Sequence, residues 1–530
     1  MKRAWICEMI QKLHEKKLDS KSFGDLFQVD GIPLWHFFQG FINSSFLPEP
    51  FKPLWMIEKE IKSGVLPHQD GAKTKLSAFA LKIGLLLNEK LKYGIARSSR
   101  KTPRQEKRDV LFVALTNQVS RKNGKIEFFE WGGVLKSLKR YRRIKPIILI
   151  GDPFSKNSLF KLRVYDLLIY HYTTPNIIKK SEQLAGGLNH KWRFLDEKSK
   201  RKLFTIRGRD YWKFFERNMD ILFSKEFLSM LVMYYLTSKE ILLKHDIKVI
   251  YLTSFTNFYD LSLLAAARKL GRKVVYSSHG YTRGTVGGWK LLENVVFAAG
   301  GEEHKKELVK SGIKKENIVV TGFPFLDEVA HRRKKKLGGA KKTVSLLTTT
   351  ILESKFMNKE RYFKLIMEAM TQLKRVPEIE KIIIKLHPAE KYRSEYEKII
   401  RSLGLNNVEI VQTPGRGPLY SVISSSDLLV GFGSTAVLEG LLFDKDAIHL
   451  KQLESRPVFE FESATYSVKR MDELADAVKS LLNDKKVKRN LKQRRAKYLQ
   501  RAFYKVDGGA SGRVAKLIAS LVKEMKKNRG

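Results

Sequence analysis

Cysteine is nearly missing from this chain of 530 residues, which contains only Cys7. One thiol cannot form an intramolecular disulfide or a cysteine cluster for zinc, so both are excluded as sources of stability. Long apolar runs are missing as well, because the best stretches, 76–87 and 230–236, fall short of the roughly 20 residues that span a bilayer. The first residues begin like a signal peptide, but Glu8 and Lys12 interrupt its apolar part. We therefore expect a cytoplasmic protein without a membrane span.

Acidic residues are scarce relative to basic ones, with 55 Asp and Glu against 101 Lys and Arg, which gives a formal net charge of +46. Such a charge attracts polyanions, namely nucleic acid, an anionic bilayer or phosphorylated substrates. The basic residues are spread along the chain and are densest at 331–336, 485–497 and 523–529. The same excess of basic residues is expected if the source organism has a lysine-rich proteome, in which most protein surfaces are basic. No RNP motif or zinc knuckle accompanies them, so nucleic acid is not an expected partner.

The remaining composition, 43% hydrophobic and 29% charged, is typical of a folded protein long enough for two or three domains. Apolar runs alternate with helical patterns in two successive series. We predict four parts, which are a mainly helical N-terminal region at 1–105, a first Rossmann-like domain at 106–330, a second at 331–482, and basic C-terminal helices at 483–530.

The clearest strand–helix–strand unit of the first series is the strand 247–252, the helix 260–270 and the strand 273–277. The second series begins with the strand 343–347 and continues through the nearly all-isoleucine strand 381–386. Continuous Val, Ile and Leu runs are typical of parallel strands covered on both faces. The pattern predicts an α/β fold with two doubly wound domains facing a cleft, where ligands bind beyond the carboxyl ends of the strands.

His387 follows the strand 381–386 and precedes Pro388, which ends the strand. An imidazole in this position can donate a hydrogen bond to a phosphate oxygen and, if protonated, neutralise charge on a leaving group. A loop histidine without a ligand is the alternative interpretation.

A second candidate site is the turn Gly431-Phe432-Gly433-Ser434-Thr435, which joins the strand 427–430 to the helix 435–442. Glycines allow the backbone to approach a ligand closely, and the amides and hydroxyls at a helix start form an anion site suited to a diphosphate. One turn into the helix, Glu439 is placed to accept hydrogen bonds from ribose hydroxyls. The alternative is an ordinary N-cap by Ser434 or Thr435, with Glu439 solvated.

These motifs resemble those of GT-B glycosyltransferases, closest to the branch that contains capsule polysaccharide enzymes, CDP-glycerol glycerophosphotransferases and bacterial polysialyltransferases. The resemblance covers roughly residues 245 to 520, and it is the order and spacing of the motifs that is specific. The segments that carry it are Asn317–Asp327, Lys385–Pro388, Ser426–Val430, Gly433–Gly440 and Asp507–Arg513.

The resemblance implies the GT-B fold, with an acceptor site in the first Rossmann-like domain and a nucleotide-donor site in the second. In the donor site, His387 would contact the donor phosphate and assist departure of the leaving group. The other implied donor-binding residues are Gly433, Ser434 and Thr435 at the phosphates, Glu439 at the ribose, Thr349 as a further hydroxyl, and Arg416, in the loop 414–417, near the nucleobase. No metal and no separate cofactor is implied.

His279 follows the strand 273–277 in the sequence Ser277-Ser278-His279-Gly280. By the same resemblance it would be the general base that takes the proton of the acceptor hydroxyl. The alternative is a histidine held by hydrogen bonds inside the turn. The acidic-acidic-glycine motif of sialyltransferases and the aspartate-tyrosine-serine-serine loop of glycerophosphotransferases are both missing, so the donor stays open.

The predicted function is therefore transfer of a sugar, or a related group, from a nucleotide-activated donor to a hydroxyl of a glycan or lipid-linked acceptor. An anionic membrane surface is a further expected partner, since basic faces in the first 105 residues and the C-terminal helices could hold the enzyme on the inner face of the cell membrane. Two alternatives stay open. They are a non-hydrolysing UDP-GlcNAc 2-epimerase, whose glutamate-rich set is not found near Ser278 and His279, and a non-catalytic basic protein that binds nucleic acid or membrane.

Overall fold

The chain was analysed as a computed structural model, which describes residues 13–42, 57, 105–115, 119–122, 125–128, 131–151, 168–206, 208–255, 257–278, 290–332, 342–352, 357–413, 416–432, 434–453 and 463–528.

The helices and strands before residue 340 are β1 (Lys17–Leu18), β2 (Lys21–Ser22), α1 (Phe23–Leu26), β3 (Gln28–Val29), β4 (Ile32–Pro33), α2 (Trp35–Ile42), β5 (Val110–Leu115), β6 (Val119–Lys122), β7 (Lys125–Phe128), α3 (Gly132–Leu138), β8 (Pro146–Gly151), α4 (Pro175–Phe194), α5 (Glu197–Phe204), β9 (Thr205–Ile206), β10 (Arg209–Asp210), α6 (Trp212–Leu222), α7 (Lys225–Lys244), β11 (Val249–Leu252), α8 (Phe258–Lys269), β12 (Lys273–Tyr276), β13 (Val295–Ala299), α9 (Glu302–Lys310), β14 (Ile318–Val320) and α10 (Asp327–Arg332).

Those after residue 340 are β15 (Thr343–Leu347), α11 (Lys359–Lys374), β16 (Lys381–Lys385), α12 (Arg393–Ser402), β17 (Val408–Val411), α13 (Arg416–Ser425), β18 (Leu428–Gly431), α14 (Thr435–Leu442), β19 (Asp446–Leu450), β20 (Tyr466–Val468), α15 (Leu474–Asn483), α16 (Lys485–Ala502) and α17 (Ala510–Lys527). Short 3-10 turns lie at Leu13–Glu15, Ile169–Tyr172, Lys290–Leu292, Lys315–Asn317, Pro324–Leu326, Lys451–Leu453 and Met471–Glu473.

Two parallel six-stranded sheets form the framework, in the orders β14-β13-β12-β11-β5-β8 and β17-β16-β15-β18-β19-β20. In each sheet the first strand along the chain lies inside the sheet, so the connections run first to one side and then to the other. This is the doubly wound arrangement, and its ligand sites lie where the winding reverses. The predicted α/β fold class, with two doubly wound Rossmann-like domains, is confirmed.

The second sheet is covered on both faces, as its isoleucine-rich strands require. Ile382 and Ile384 of β16 belong to one apolar cluster, which includes residues of α11 and α15. Ile383, between them, belongs to the cluster on the opposite face, with residues of α14. Side chains alternate across a strand, so a continuous apolar run serves two cores at once.

The core of the first sheet draws on distant parts of the chain. Phe23 and Trp35 from the N-terminal region pack into it, and so do Val514 and Ile518 of α17. The described part of the predicted helical region, 13–42, is not purely helical, since two-residue ladders β1–β2 and β3–β4 alternate with α1 and α2. The turn residues Asp19, Asp30 and Gly31 have positive φ there, and their tight turns close these small ladders.

Candidate active site

Three neighbouring strands of the second sheet end at the same level, because Leu347 of β15 is in register with Lys385 of β16 on one side and with Gly431 of β18 on the other. The sheet reverses its winding at β15. We call this place, marked by Leu347, Lys385 and Gly431, the switch edge. The predicted residues Thr349, His387 and Ser434 each follow one of these three strands, so the fold brings their backbones to one edge.

His387 is an exposed residue whose backbone and ring are both held. Its N–H donates to the Thr348 hydroxyl (3.0 Å) and to Glu390 Oε2 (2.8 Å). Its ring Nδ1 accepts a hydrogen bond from the Ala389 N–H (3.2 Å). Because Nδ1 is an acceptor, the neutral ring carries its proton on Nε2.

The protonation of His387 is biased toward this neutral form. Desolvation by the surrounding protein lowers the pKa of His387, and the nearby Lys385 ammonium lowers it further. Near neutral pH the ring therefore acts as an Nε2–H hydrogen-bond donor. The expectation of a protonated ring that neutralises leaving-group charge is not favoured in the structure without ligand.

Glu390 is the buried centre of this edge, and the sequence patterns did not mark it as a candidate. It is 5% exposed. Its Oε2 accepts from the Thr348 hydroxyl and the His387 N–H, and its Oε1 accepts from the Tyr396 hydroxyl (2.8 Å), which in turn contacts the Tyr362 hydroxyl (2.8 Å). One carboxylate therefore ties the loop after β15 to the loop after β16.

Lys385, the last residue of β16, is also buried, at 5% exposure. Its ammonium donates to the Leu386 carbonyl (2.8 Å). Burial lowers the pKa of Lys385, while the Glu390 carboxylate acts in the opposite direction. The switch edge thus holds a buried cation behind the exposed histidine.

The start of α14 lacks the side-chain cap that its sequence allows. Ser434 has the extended backbone of an N-cap residue (φ −123°, ψ 155°), but its side chain makes no capping hydrogen bond. Its hydroxyl is buried and has no hydrogen-bond partner in the part of the chain that the structure describes. The first amides of a helix have no intrahelical partner, so α14 presents N–H groups and the positive end of its dipole at the switch edge. The ordinary N-cap interpretation of Ser434 is wrong.

The remaining predicted residues differ in burial, and two of them lie outside the described residues. Thr435 begins α14 and is half-buried, and Thr349 is half-buried in the loop after β15. Glu439 is 3% exposed within α14 and not solvated. Gly433 and His279 lie outside the described residues, although the preceding Ser278 is buried just beyond the carboxyl end of β12.

Arg416 is the first residue of α13, and its side chain lies outside the described part. This differs from the loop 414–417 predicted from the sequence. Pro418 falls in the first turn of α13, where proline is tolerated because it needs no N–H partner, so Pro and Gly here mark a helix start.

Two further motifs of the resemblance come together away from the switch edge. The Asp327 carboxylate accepts from the N–H groups of Ala510 (2.9 Å) and Ser511 (2.8 Å) and so caps α17. Arg513 donates to the Thr321 carbonyl (2.6 Å) and pairs with Asp507, which lowers the pKa of Asp507 to about 2. We call these six residues the crossover clasp, and their contacts give them a structural role.

The glycines beside the clasp are required by close packing. Gly322 has φ +81°, and a Cβ there would lie 2.9 Å from the Tyr504 carbonyl oxygen. A Cβ on Gly301 would lie 2.3 Å from the Ala502 carbonyl oxygen. Both positions let the segment after α16 pass directly against the first domain.

Two negative findings apply to the described residues alone. They contain no group of three or more His, Cys, Asp or Glu side chains that could hold a metal ion. Within those same ranges, no helix is both long and apolar enough to cross a membrane.

The chain is similar to one family model and to several solved structures. Residues 294–519 match the family model described as UDP-N-acetylglucosamine 2-epimerase. No curated protein matches the chain.

Among solved structures, the chain is similar to the UDP-GlcNAc 2-epimerase from Methanocaldococcus jannaschii in complex with UDP-GlcNAc and UDP, with 15% identity, coverage of 78% of this chain and 99% of that one, and a TM-score of 0.47. It is similar to a glycosyltransferase from Rickettsia africae, with 14% identity, coverage of 80% and 99%, and a TM-score of 0.42. It is also similar to the wall teichoic acid polymerase TagF, with 10% identity, coverage of 86% and 100%, and a TM-score of 0.44. At these values the likeness indicates neither a substrate nor a reaction.

Proposed function

We propose that this protein binds a nucleotide-diphosphate sugar at the switch edge and transfers the sugar to a hydroxyl group of a glycan or lipid-linked acceptor. The observation that carries the proposal is the convergence of the uncapped start of α14 with the Nε2–H of His387 at strand ends in register. Helix amides and a neutral imidazole donor suit a diphosphate that must leave as an anion.

The roles follow from this geometry together with the sequence motifs. The donor diphosphate lies at the amides of Thr435 and its neighbours, and His387 donates to a phosphate oxygen. His279 removes the proton of the acceptor hydroxyl, whose oxygen forms a bond to the anomeric carbon. The bond from that carbon to the phosphate oxygen breaks, and the electron pair stays on the diphosphate. Glu439 contacts the ribose, Thr349 the phosphates, and Arg416 the region of the base.

A second candidate, epimerisation of UDP-GlcNAc at C2, is favoured by the family match of residues 294–519. This reaction removes a proton from C2 and returns one to the opposite face, which requires acid–base groups on both faces. In the described residues directly after four strands of the first sheet, at 253–255, 277–278, 300–303 and 321–322, the side chains are hydroxyls, one phenyl ring and the carboxylates of Glu302 and Glu303. These two carboxylates begin α9, and Glu303 is paired with Arg501 (2.9 Å). We therefore place transfer first.

Donor binding is tested by calorimetric titration with UDP, CDP and GDP. We expect one nucleotide to bind, and we expect His387→Ala to weaken that binding about 10-fold or more, because a hydrogen bond to a charged group is worth about 1.5–3 kcal/mol. Lys364→Ala, an exposed substitution on α11, is the control for a surface substitution that removes no predicted donor contact. Equal affinity in the wild type and His387→Ala would contradict the assigned donor site.

The reaction is tested by NMR of the nucleotide sugar with and without acceptor saccharides. Transfer predicts a product only when acceptor is present, and His279→Ala should abolish it while nucleotide affinity is retained. A sugar epimerised at C2 in the absence of acceptor would replace the first candidate by the second.

A further inference from the structure

The end of α4 exposes apolar side chains to an unusual degree. Phe194, the last residue of α4, is 76% exposed, the largest value among the exposed large hydrophobic side chains of the described residues. The His190 ring lies against it, with ring centroids 4.2 Å apart. Leu184, further back on the helix, is 37% exposed. An isolated exposed side chain needs no explanation, but Phe194 is the last residue of its helix and has an exposed histidine ring against it, which gives this helix end an apolar face.

Unpaired positive charge surrounds this ring. Lys191 and Arg193 are exposed, and neither has a carboxylate partner in the described residues. The two nearest acids along the chain are already engaged, since Asp196 caps α5 by accepting from the Ser199 N–H (2.8 Å) and Glu197 pairs with Arg201 (2.8 Å). The basic side chains beside Phe194 are therefore available for an external anion.

The same helix end lies on the carboxyl-edge side of the first sheet. Just before α4 begins, the Thr173 hydroxyl contacts the hydroxyl of Thr237 in the second half of α7 (3.0 Å). At its end, Asn189 donates to the Phe223 carbonyl (2.7 Å), just before α7 begins. The two helices are thus antiparallel, and α7 leads within a few residues into the first residue of β11.

The length of α7 gives the position of the ring. A helix of 20 residues is about 30 Å long, whereas the four-residue strand β11 extends only about 13 Å. Since α7 ends at the amino edge of the sheet, its beginning, and Phe194 with it, projects past the carboxyl edge. This is the edge at which the acceptor is expected.

We propose that the α4 tip, formed by His190, Lys191, Arg193 and Phe194, docks on the surface of an anionic lipid bilayer. The phenyl ring enters the boundary between headgroups and acyl chains, and the basic side chains contact anionic headgroups. The tip is the convex end of a helix, whereas single-stranded nucleic acid is bound in grooves lined by several stacking rings. The proposal does not depend on the transfer reaction, because docking requires no nucleotide.

Helix α16 provides a matched control for charge alone. Its 18 residues include nine lysines and arginines and no acid, and its tyrosine is buried. Lys485 and Lys488 are exposed there without a carboxylate partner in the described residues. If the net charge of the whole chain drove membrane binding, removal of two charges from α16 would matter as much as removal from the α4 tip.

The test is co-sedimentation of the full chain with phosphatidylcholine vesicles, with and without phosphatidylglycerol, in the absence of nucleotide. We expect binding only when phosphatidylglycerol is present. We expect Phe194→Ser and the pair Lys191→Gln with Arg193→Gln each to weaken it about 10-fold or more. The pair Lys485→Gln with Lys488→Gln should weaken it by less than about threefold. Thermal unfolding should be unchanged in all three, since the altered side chains are exposed.

Several outcomes would overturn the proposal. Equal losses from the α4 and α16 pairs would assign binding to total charge, and unchanged binding by Phe194→Ser would remove the ring from the contact. If the full chain bound single-stranded RNA but not vesicles, and the α4 variants lost affinity for that RNA, the tip would be a nucleic-acid surface. As an independent readout, Phe194→Trp should retain vesicle binding. The emission of its added tryptophan, obtained by subtracting the wild-type spectrum, should shift to the blue with anionic vesicles, and the lack of that shift would count against insertion.

Discussion

Glu390 shows how one buried side chain determines the geometry of a whole edge. Its carboxylate accepts from Thr348, from the His387 N–H and from Tyr396, and each of these donors comes from a different part of the second domain. An unsatisfied buried donor costs more than the hydrogen bond itself gains, so this carboxylate restricts where His387 can lie.

Replacement of Glu390 by glutamine should loosen the edge with little change of shape. The amide group would put an NH₂ opposite one of the three donors, so we expect a loss of about 1–3 kcal/mol in the free energy of unfolding and weaker nucleotide binding. Urea denaturation and calorimetry measure the two effects. Glu395→Gln, which removes the ion pairs with Lys359 and Lys398, is the control and should cost less than about 1 kcal/mol. Equal effects of the two substitutions would refute the central role of Glu390.

His304 makes stability depend on pH at a single buried ring. It is 3% exposed, its Nδ1 accepts from the Gly300 N–H (3.1 Å), and burial lowers the pKa of His304 from 6.5 to about 4. Because the folded-state pKa is the lower one, the stabilisation is complete above pH 6.5 and is lost as the pH falls toward 4.

The expected contribution of His304 is a loss of about 3 kcal/mol in the free energy of unfolding between pH 7 and pH 4. His304→Gln keeps an acceptor for Gly300 and does not titrate, so its free energy of unfolding should fall less over the same range. Urea denaturation across this range measures both proteins. Parallel curves for the wild type and the variant would show that His304 does not titrate as expected.

At the scale of elements, the strands were predictable because each buried parallel strand needs an apolar run for two faces. The predicted strand Thr343–Leu347 agrees with the structure residue for residue. The edge strand β20 was not predicted, since its three residues pass from exposed to buried and carry no run. The helix α7 was not predicted because it is buried on nearly all sides, which removes the one-sided periodicity that marks a surface helix.

The candidate site was likewise predictable from the sequence only in part. His387 and Ser434 could be found because they directly follow apolar strands, and the order of the sheet then brings them together. Glu390 could not be found from the sequence, because its burial depends on Thr348, 42 residues away, and on Tyr396. A glutamate in a loop is solvated unless distant elements cover it, and a local pattern does not contain that information.

The cap of α17 allows an element-scale test of the crossover clasp. Asp327→Ala leaves the N–H groups of Ala510 and Ser511 without their acceptor, so we expect a loss of about 1–2 kcal/mol. Asp484→Ala is the matched control, because Asp484 caps α16 in the same way. Both should lower the free energy of unfolding in urea, but only Asp327→Ala should speed proteolysis between α16 and α17. Equal proteolysis would show that the cap does not hold the crossover.

At the scale of the molecule, α17 belongs to the core of the first domain although it follows the second domain in the chain. Val514, Ala515, Ile518 and Val522 are buried against that core. Removal of residues 510–530 should therefore damage the first domain selectively. We expect dye binding to exposed apolar surface and loss of near-ultraviolet circular dichroism from the first-domain tryptophans. Nucleotide binding by the second domain should persist, and an unchanged spectrum would contradict the assignment of α17 to this core.

The position of α17 also sets an order of events during synthesis. The ribosome completes the strands of the first sheet, the last of which ends at Val320, 194 residues before it makes Val514, so the nascent first domain waits with an open apolar surface while the second domain is translated. The second domain, by contrast, has its sheet and both covering layers before residue 510. The domain that is made first is therefore completed last, and during that interval a chaperone or a transient self-contact must protect the surface that α17 later covers.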